Sequence, residues 1–476
     1  MAVKQFVYDM IEKYPVFSND KEDPTLKAGF EIREIQNSNL QKQIELIASQ
    51  HPYYKQMFEK NHIRLGDIRT TDDLIRLPLT YKKDYMQNYE DFRLKPEVKG
   101  LWEALFDITY TTGSTTGMPT PFYNTVYDQY TNLLQGIRSS KIVMATPNDV
   151  VANLFPVGPI PHIGFMKSMW FPVLLGSPLV SACGGMKFPE FPVTRSLDYA
   201  IEMIEKYKCT VTMGIPSFTR RLLMKAQEQG RNYSSLRMMI AVGEPVPKVM
   251  RDDMRQRVVS MGAKDVFVVT SLGFTECQGN YPECAEMSGS HNPSPDLYFT
   301  EVVDEKTGER LPDGELGLLA LTHLNRKGTC LLRYILGDLG AITHEPCEVC
   351  GRETDRVIIK VGSTYVTRTK DLVKLKGTLI NPELLKDEIA KVKDVLEYQI
   401  VYSKVDLNDP FSDDILLIKV AAPDADQEYV EKEVIQKTIT AVEIKPKVSF
   451  HEPSEIFDPA LELKATRIVD LRPKIE

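Results

Sequence analysis

The chain is 476 residues long, 42% hydrophobic and 26% charged, with a formal net charge of −8 at pH 7. That length exceeds what one ordinary core organises, so at least two domains are expected, and the composition excludes a low-complexity chain. The negative balance argues against nucleic acid as a principal partner, because gripping a phosphate backbone wants a basic face.

The opening residues, MAVKQFVYDM, carry no apolar core and no cleavage site of a signal peptide. The longest apolar run, Met169–Val180, is too short to span a bilayer and contains Pro172, Gly176 and Pro178. No membrane partner is expected, and a cytoplasmic protein is. Seven cysteines, an odd number, favour reduced thiols or a metal site over a disulfide framework.

In chain order, FDITY reads as a strand, and MPTPFYNT is a second β-favouring segment. The intervening YTTGSTTGMPT at Tyr110–Thr120 therefore joins two strands. It lacks the lysine and the following helix of a Walker loop. Its backbone N–H groups, with the hydroxyls of Thr111, Thr112, Ser114, Thr115 and Thr116, suit a polyphosphate, although composition alone equally allows a solvated surface turn.

From about Ser196 the periods alternate. SLDYAIEMIEKY puts Leu197, Ile201 and Ile204 on one helical stripe, and CTVTM follows as a buried strand. PSFTRRLLMKAQEQG starts on Pro216 and stops at Gly230, the asymmetry of a helix start and end. LRMMIAV is a strand, PKVMRDDMRQRVVSMG a helix and DVFVVTS a strand. Such alternation predicts a parallel sheet covered by helices, with ligands beyond the carboxyl ends of its strands. The loops GEPVP and LGFTE fall at two of those ends. After about Val366, LEYQIVYS, DDILLIKVAA, the helical DQEYVEKEVIQKTITAVE and KVSFHE predict a small α+β unit.

The segment TTGSTTGMPT resembles the phosphate loop of the adenylate-forming superfamily. With RLPLTYKKD at Arg76–Asp84 and the ordered motifs below, the likeness runs from about Arg76 to Asp470, and it is nearest to phenylacetate–CoA ligase and its relatives. The resemblance implies α/β architecture: a large N-terminal domain of mixed and parallel sheets over residues 1–369, and a small mobile α+β domain over residues 370–476. It implies nucleotide contacts from Thr112, Ser114, Thr115 and Thr116. VGEP would supply an adenine-binding turn at Gly243, Glu244 and Pro245. In LGFTE, Thr275 would bind the α-phosphate and Glu276 would hold magnesium, a hard cation that takes oxygen ligands. Leu272 stands where the family has an aromatic residue. In RYILGD, Asp338 would accept from both ribose hydroxyls. In RTKD, Arg368 would reach the ribose or phosphate and Lys370 would be the hinge, while a basic linker is the alternative. LKATRIVD resembles the C-terminal lysine motif, with Leu463 replacing its glycine, so Lys464 would be the adenylation lysine. Its ammonium can offset the charge that builds as a carboxylate meets a phosphate.

CEVCGR is Cys-x-x-Cys, half of a tetrahedral zinc site. The resemblance adds Cys284 and His291, which with Cys347 and Cys350 would close a structural site, Cys277 being the substitute ligand. Unmetallated thiols stay open, and no thioredoxin-like surroundings support a redox pair. FPVGPIPHIGF is the candidate acyl pocket, with His162 and Gly273 near the acid, although a histidine beside prolines and apolar residues is more often a packed, hydrogen-bonded core residue. The expected activity is ATP-dependent ligation of an aryl acid such as phenylacetate to CoA through an acyl-adenylate. ATP, Mg2+ and CoA are required, a structural zinc ion is expected, and a homodimer is allowed. Transfer to an amine, a carrier protein or a reductase is the enzymatic alternative. A nucleotide-sensing scaffold is the non-enzymatic one.

Overall fold

The computed structural model describes residues 23–96, 100–110, 120–155, 163–182, 197–243, 246, 248–358, 367–368, 373–375, 378–380, 382–407, 413–442, 444–462 and 464–472. Helix α1 (Gly29–Gln50) buries Ile32, Leu40, Ile44 and Ile47 along one face. His51 ends it and caps α2 (Pro52–Lys60) by accepting from Tyr54 N–H at 3.2 Å. Both helices pack on a core of Leu74, Phe92, Leu331, Leu332 and Tyr334. Thr80, from the RLPLTYKKD segment, bridges to Tyr334.

The strands β1 (Leu105–Tyr110) and β2 (Pro121–Thr125) form an antiparallel hairpin, with Asp107 opposite Asn124 and Tyr110 opposite Pro121. The expected pair of strands around the glycine-rich segment is therefore present. Thr125 and Asp128 cap α3 (Val126–Ile142) reciprocally, each side chain accepting from the other's backbone N–H.

Next come β3 (Val151–Asn153), α4 (Ile163–Leu174), β4 (Leu179–Ser181), α5 (Leu197–Lys206), β5 (Val211–Gly214), α6 (Pro216–Glu228), β6 (Met238–Val242), α7 (Lys248–Ser260), β7 (Phe267–Phe274) and β8 (Gly279–Pro282). They make a six-stranded sheet in the order β4-β3-β5-β6-β7-β8, parallel up to β7. The run Met238–Ala241 is buried throughout, as strands covered on both faces must be. Ile201, Ile204, Leu222, Leu223, Met254 and Val258 supply the helical side of that core. The outcome differs from the sequence expectation at one point. LGFTE is not all loop, because β7 runs through Leu272, Gly273 and Phe274 and reverses into the antiparallel β8. Leu272 and Phe274 join an apolar cluster with Tyr281 and Leu321, which holds the chain extended up to the turn.

A second sheet is antiparallel. It uses β9 (Ser290–His291), β10 (Tyr298–Val303), β11 (Gly317–His323), β12 (Tyr334–Thr343) and β13 (Arg356–Ile358), in the order β10-β11-β12-β13-β9, with β14 (Thr367–Arg368) against β12. The C-terminal unit contains the hairpin β15 (Val373–Leu375) and β16 (Thr378–Ile380), helix α8 (Pro382–Ala390), strands β17 (Glu397–Lys404) and β18 (Asp414–Ala421), helix α9 (Gln427–Val442), and strands β19 (Lys447–Phe450) and β20 (Ile468–Asp470). Its four-stranded sheet, β19-β18-β17-β20, closes its own core of Leu385, Ile389, Ile400, Tyr402, Ile418, Val420, Val430 and Val434. The architecture is α/β with a small α+β unit, and the antiparallel β8 makes the six-stranded β4-to-β8 sheet mixed. Among the described residues no helix is long and apolar enough to cross a membrane.

Candidate active site

The strands of the parallel sheet point the same way, so their carboxyl ends share one edge. Val242, the last residue of β6, pairs with Ser271 of β7. Gly243 therefore starts its turn beside Leu272 and Gly273, and a Cβ on Gly273 would touch Val242 Cγ1 at 3.6 Å. Gly243 has φ +92°, a conformation that glycine adopts without strain. From the C-terminal unit, Lys464 donates from Nζ to the Gly243 carbonyl at 2.9 Å. Ala465 N–H follows it to Ser217 Oγ at 3.4 Å, at the start of α6. Arg220 reinforces this docking by donating to Leu396 O at 2.9 Å.

Thr275 and Glu276 lie half-buried on the turn between β7 and β8. The Glu276 carboxylate is near the phenols of Tyr85 and Tyr334, whose pKa values burial raises first and this negative charge raises further. Tyr334 belongs to RYILGD, so the structure brings that motif up to LGFTE. Leu336 packs in the same apolar cluster as Leu272 and Phe274. Two residues on, Asp338 is the cross-strand partner of Arg368. The structure thus gathers Gly243, Gly273, Thr275, Glu276 and Lys464 at one edge and pairs Asp338 with Arg368 in the adjoining sheet. Thr112, Ser114, Thr115, Thr116, His162, Glu244, Pro245 and Lys370 lie outside the described residues.

A buried polar network under this edge carries no motif signature. Arg326 donates to Asn124 Oδ1 at 2.6 Å and to Asn132 Oδ1 at 2.8 Å, with Asp128 Oδ1 3.3 Å from its Nε. Lys167 on α4 donates to Asn132 O at 3.3 Å, and burial drives its ammonium down to about 7.

A second cluster sits where β9 meets the loop before β13. The ligand atoms of Cys284, His291, Cys347 and Cys350 all lie within 4.8 Å of one another. Cys284 Sγ is 3.6 Å from Cys347 Sγ, and Cys350 Sγ is 3.6 Å from His291 Nε2. A tetrahedron with metal–sulfur bonds of about 2.3 Å and a metal–nitrogen bond of about 2.0 Å has edges of roughly 3.5–3.8 Å, so the set fits zinc. His291 Nδ1 meets Thr354 Oγ1 at 3.3 Å, which orients the ring with Nε2 toward the thiols. Burial, then Arg356 and Arg352, push His291 down to about 3, leaving a neutral imidazole able to donate a lone pair. Burial alone would raise the Cys347 thiol, but the N–H groups of Cys350 and Val349 outweigh it and hold the thiol low. Cys277 is not a substitute ligand. Its thiol is buried in the neighbouring apolar cluster and donates to Phe274 O at 3.3 Å.

The family model for AMP-binding enzymes matches residues 34–323, more than half of the chain. The chain belongs to the AMP-binding enzyme family. It is similar to a phenylacetate–coenzyme A ligase of Thermus thermophilus, 25% identical over 461 residues that cover 93% of this chain and 97% of the relative. In fold it resembles crystal structures of 2-hydroxyisobutyryl–CoA ligase. The postadenylation state with 2-HIB-AMP gives a TM-score of 0.77 at 21% identity, covering 94% of this chain and 90% of that one. The thioesterification state with 2-HIB-AMP and CoA gives 0.62 at 22% identity, covering 94% and 91%. Both comparisons show that the chain shares the fold of those ligases.

Proposed function

We propose that this AMP-binding enzyme is an ATP-dependent acid–CoA ligase that works through an acyl-adenylate. The observation that carries the reading is Lys464, brought by the C-terminal unit to Gly243 at the ligand edge of the parallel sheet. A bare binding module has no need of that ammonium; a reaction that forces a carboxylate against a phosphate does. In the first step a carboxylate oxygen attacks the α-phosphorus, the bond to the β-phosphate bridge breaks, and pyrophosphate leaves. In the second the CoA thiol, losing its proton, attacks the acyl carbon and AMP departs.

Thr275 would hydrogen-bond the α-phosphate, the hydroxyls of Thr112, Ser114, Thr115 and Thr116 the outer phosphates, and Gly243, Glu244 and Pro245 would line the adenine. Asp338 and Arg368 would take the ribose side. Glu276 would hold Mg2+, whose charge would offset that of the phosphates. Gly273 and His162 would border the acid. Residues 370–476 would turn about Lys370 to withdraw Lys464 and admit the thiol, so that one cleft serves both steps in turn. The set Cys284, His291, Cys347 and Cys350 would hold a structural Zn2+ that ties the segment after β8 to the loop before β13.

An aryl acid is the proposed substrate, supported by the phenylacetate specificity in the name of the Thermus relative. Pyrophosphate release screened over aryl, indolyl and short aliphatic acids tests it, with AMP release measured with and without CoA. Aryl-dependent release with CoA-dependent turnover is expected. Acyl-AMP formation with no response to CoA would refute the ligase reading and leave transfer to another acceptor.

A further inference from the structure

Three successive backbone carbonyls of the turn bearing Thr275 and Glu276 are each held by a buried side chain. Gln278 Nε2 donates to Thr275 O at 2.5 Å, His323 Nε2 lies 3.0 Å from Glu276 O, and Gln135 Nε2 donates to Cys277 O at 3.3 Å. Gln135 comes from α3, Gln278 from the turn itself and His323 from the end of β11. On the other side of the ring, His323 Nδ1 lies 3.2 Å from both Leu331 N and Thr329 O, so the imidazole is held at both nitrogens.

Gln278 reaches further. Its Oε1 accepts from Thr109 Oγ1 at 2.8 Å and from Asn124 Nδ2 at 2.9 Å. Thr109 is on β1 and Asn124 on β2, the strands that run into the glycine-rich segment 111–119. One buried amide therefore spends its donor on the turn and its acceptor on the hairpin. Gln278 adopts φ +53°, and a Cβ on the next residue, Gly279, would overlap the Gln135 side chain. A left-handed glutamine persists where surrounding contacts over-determine it, and such strain gathers at functional sites.

We propose that Gln278 is a positioning residue for ATP, tying the hairpin that carries the phosphate-loop sequence to the turn that carries Thr275 and Glu276. Strands β1 and β2 then keep a fixed separation from the turn before the nucleotide arrives, so less ordering is left to be done on binding. This inference rests on the nucleotide roles proposed above.

Gln278→Met keeps the volume and removes every side-chain hydrogen bond, leaving the backbone N–H of residue 278 on Thr275 O. Binding of AMP and of a non-hydrolysable ATP analogue is measured by calorimetry without acid, together with KM for ATP and for the acid. AMP lacks the outer phosphates, whereas the analogue spans both segments. The expected result is at least ten-fold weaker analogue binding and a matching rise in KM for ATP, with AMP affinity and acid KM changed less than three-fold. In a double-mutant cycle, Thr109→Val should weaken analogue binding in the wild-type background and add little in the Gln278→Met background. Equal losses for AMP and analogue, or fully additive losses in the cycle, overturn the proposal. Should Gln278→Met fail to fold, Thr109→Val alone carries the test: weaker analogue binding with AMP intact supports it, and unchanged analogue binding overturns it. A wild-type protein that binds neither nucleotide overturns the ligase reading itself, a result distinct from any variant effect.

Discussion

Lys464 donates a 2.9 Å hydrogen bond to the carbonyl of Gly243, a residue 221 positions away in the chain. The carbonyl belongs to the turn after β6, and a side chain on that glycine would sit 3.3 Å from the ammonium. The contact joins the C-terminal unit to the ligand edge of the large sheet. Under the proposed chemistry it would set a positive charge where the first half-reaction accumulates negative charge.

Lys464→Ala should slow adenylation by about 10²–10³-fold, the usual effect of deleting one group aimed at developing charge. Thioester formation from supplied acyl-AMP should stay within a few-fold of wild type. The two half-reactions are measured separately, by pyrophosphate release and by thioester appearance. Equal losses in both would remove Lys464 from its assigned step.

Purified protein should contain close to one zinc ion per chain by elemental analysis. Cys347→Ser should lose the metal and cost on the order of a few kcal/mol of stability, because a closed structural site contributes folding energy directly. A metal-free sample with an undiminished melting temperature would end the zinc assignment.

Arg251 on α7 and Glu283 after β8 form a buried, two-pronged ion pair, at 2.7 and 3.2 Å, and Glu283 also accepts from Thr270 N–H at 2.8 Å. Glu283→Gln strands a buried guanidinium and should destabilise by roughly 3–5 kcal/mol. The double variant Arg251→Met/Glu283→Leu should recover much of that loss in denaturant titrations. A single variant as stable as wild type would contradict the burial seen.

Burial takes the His51 imidazole down to about 4, against the raising effect of the carbonyls of Cys330 and Phe92. An unfolded histidine titrates near 6.5, so between about pH 6.5 and 4 the unfolded chain binds the extra proton. Stability present above pH 6.5 is therefore lost as pH falls through that window, by up to on the order of 3 kcal/mol from this residue. His51→Asn, which can still cap α2, should flatten the pH dependence of unfolding over that range. An unchanged slope would mean that other groups dominate it.

The sequence alone determined the repeating units. Helical and strand periods follow from backbone geometry over a few residues, so the alternation from Ser196 to Ser271 and the small C-terminal unit could be read without any contact being known. It also nominated Gly243, Thr275, Glu276, Asp338 and Lys464, because their motifs stand in a recognisable order. Tertiary structure decided what meets what. β7 carries LGF into the strand and reverses because Leu272 and Phe274 have an apolar cluster to join, which no local period announces. Cys284 and His291 reach the Cys347–Cys350 loop because β9 pairs with β13 across some 65 residues. Gln135, Gln278 and His323 became notable only once the fold buried them against three neighbouring carbonyls. A polar side chain acquires its meaning from the partner that desolvation obliges it to find, and that partner is chosen by long-range packing.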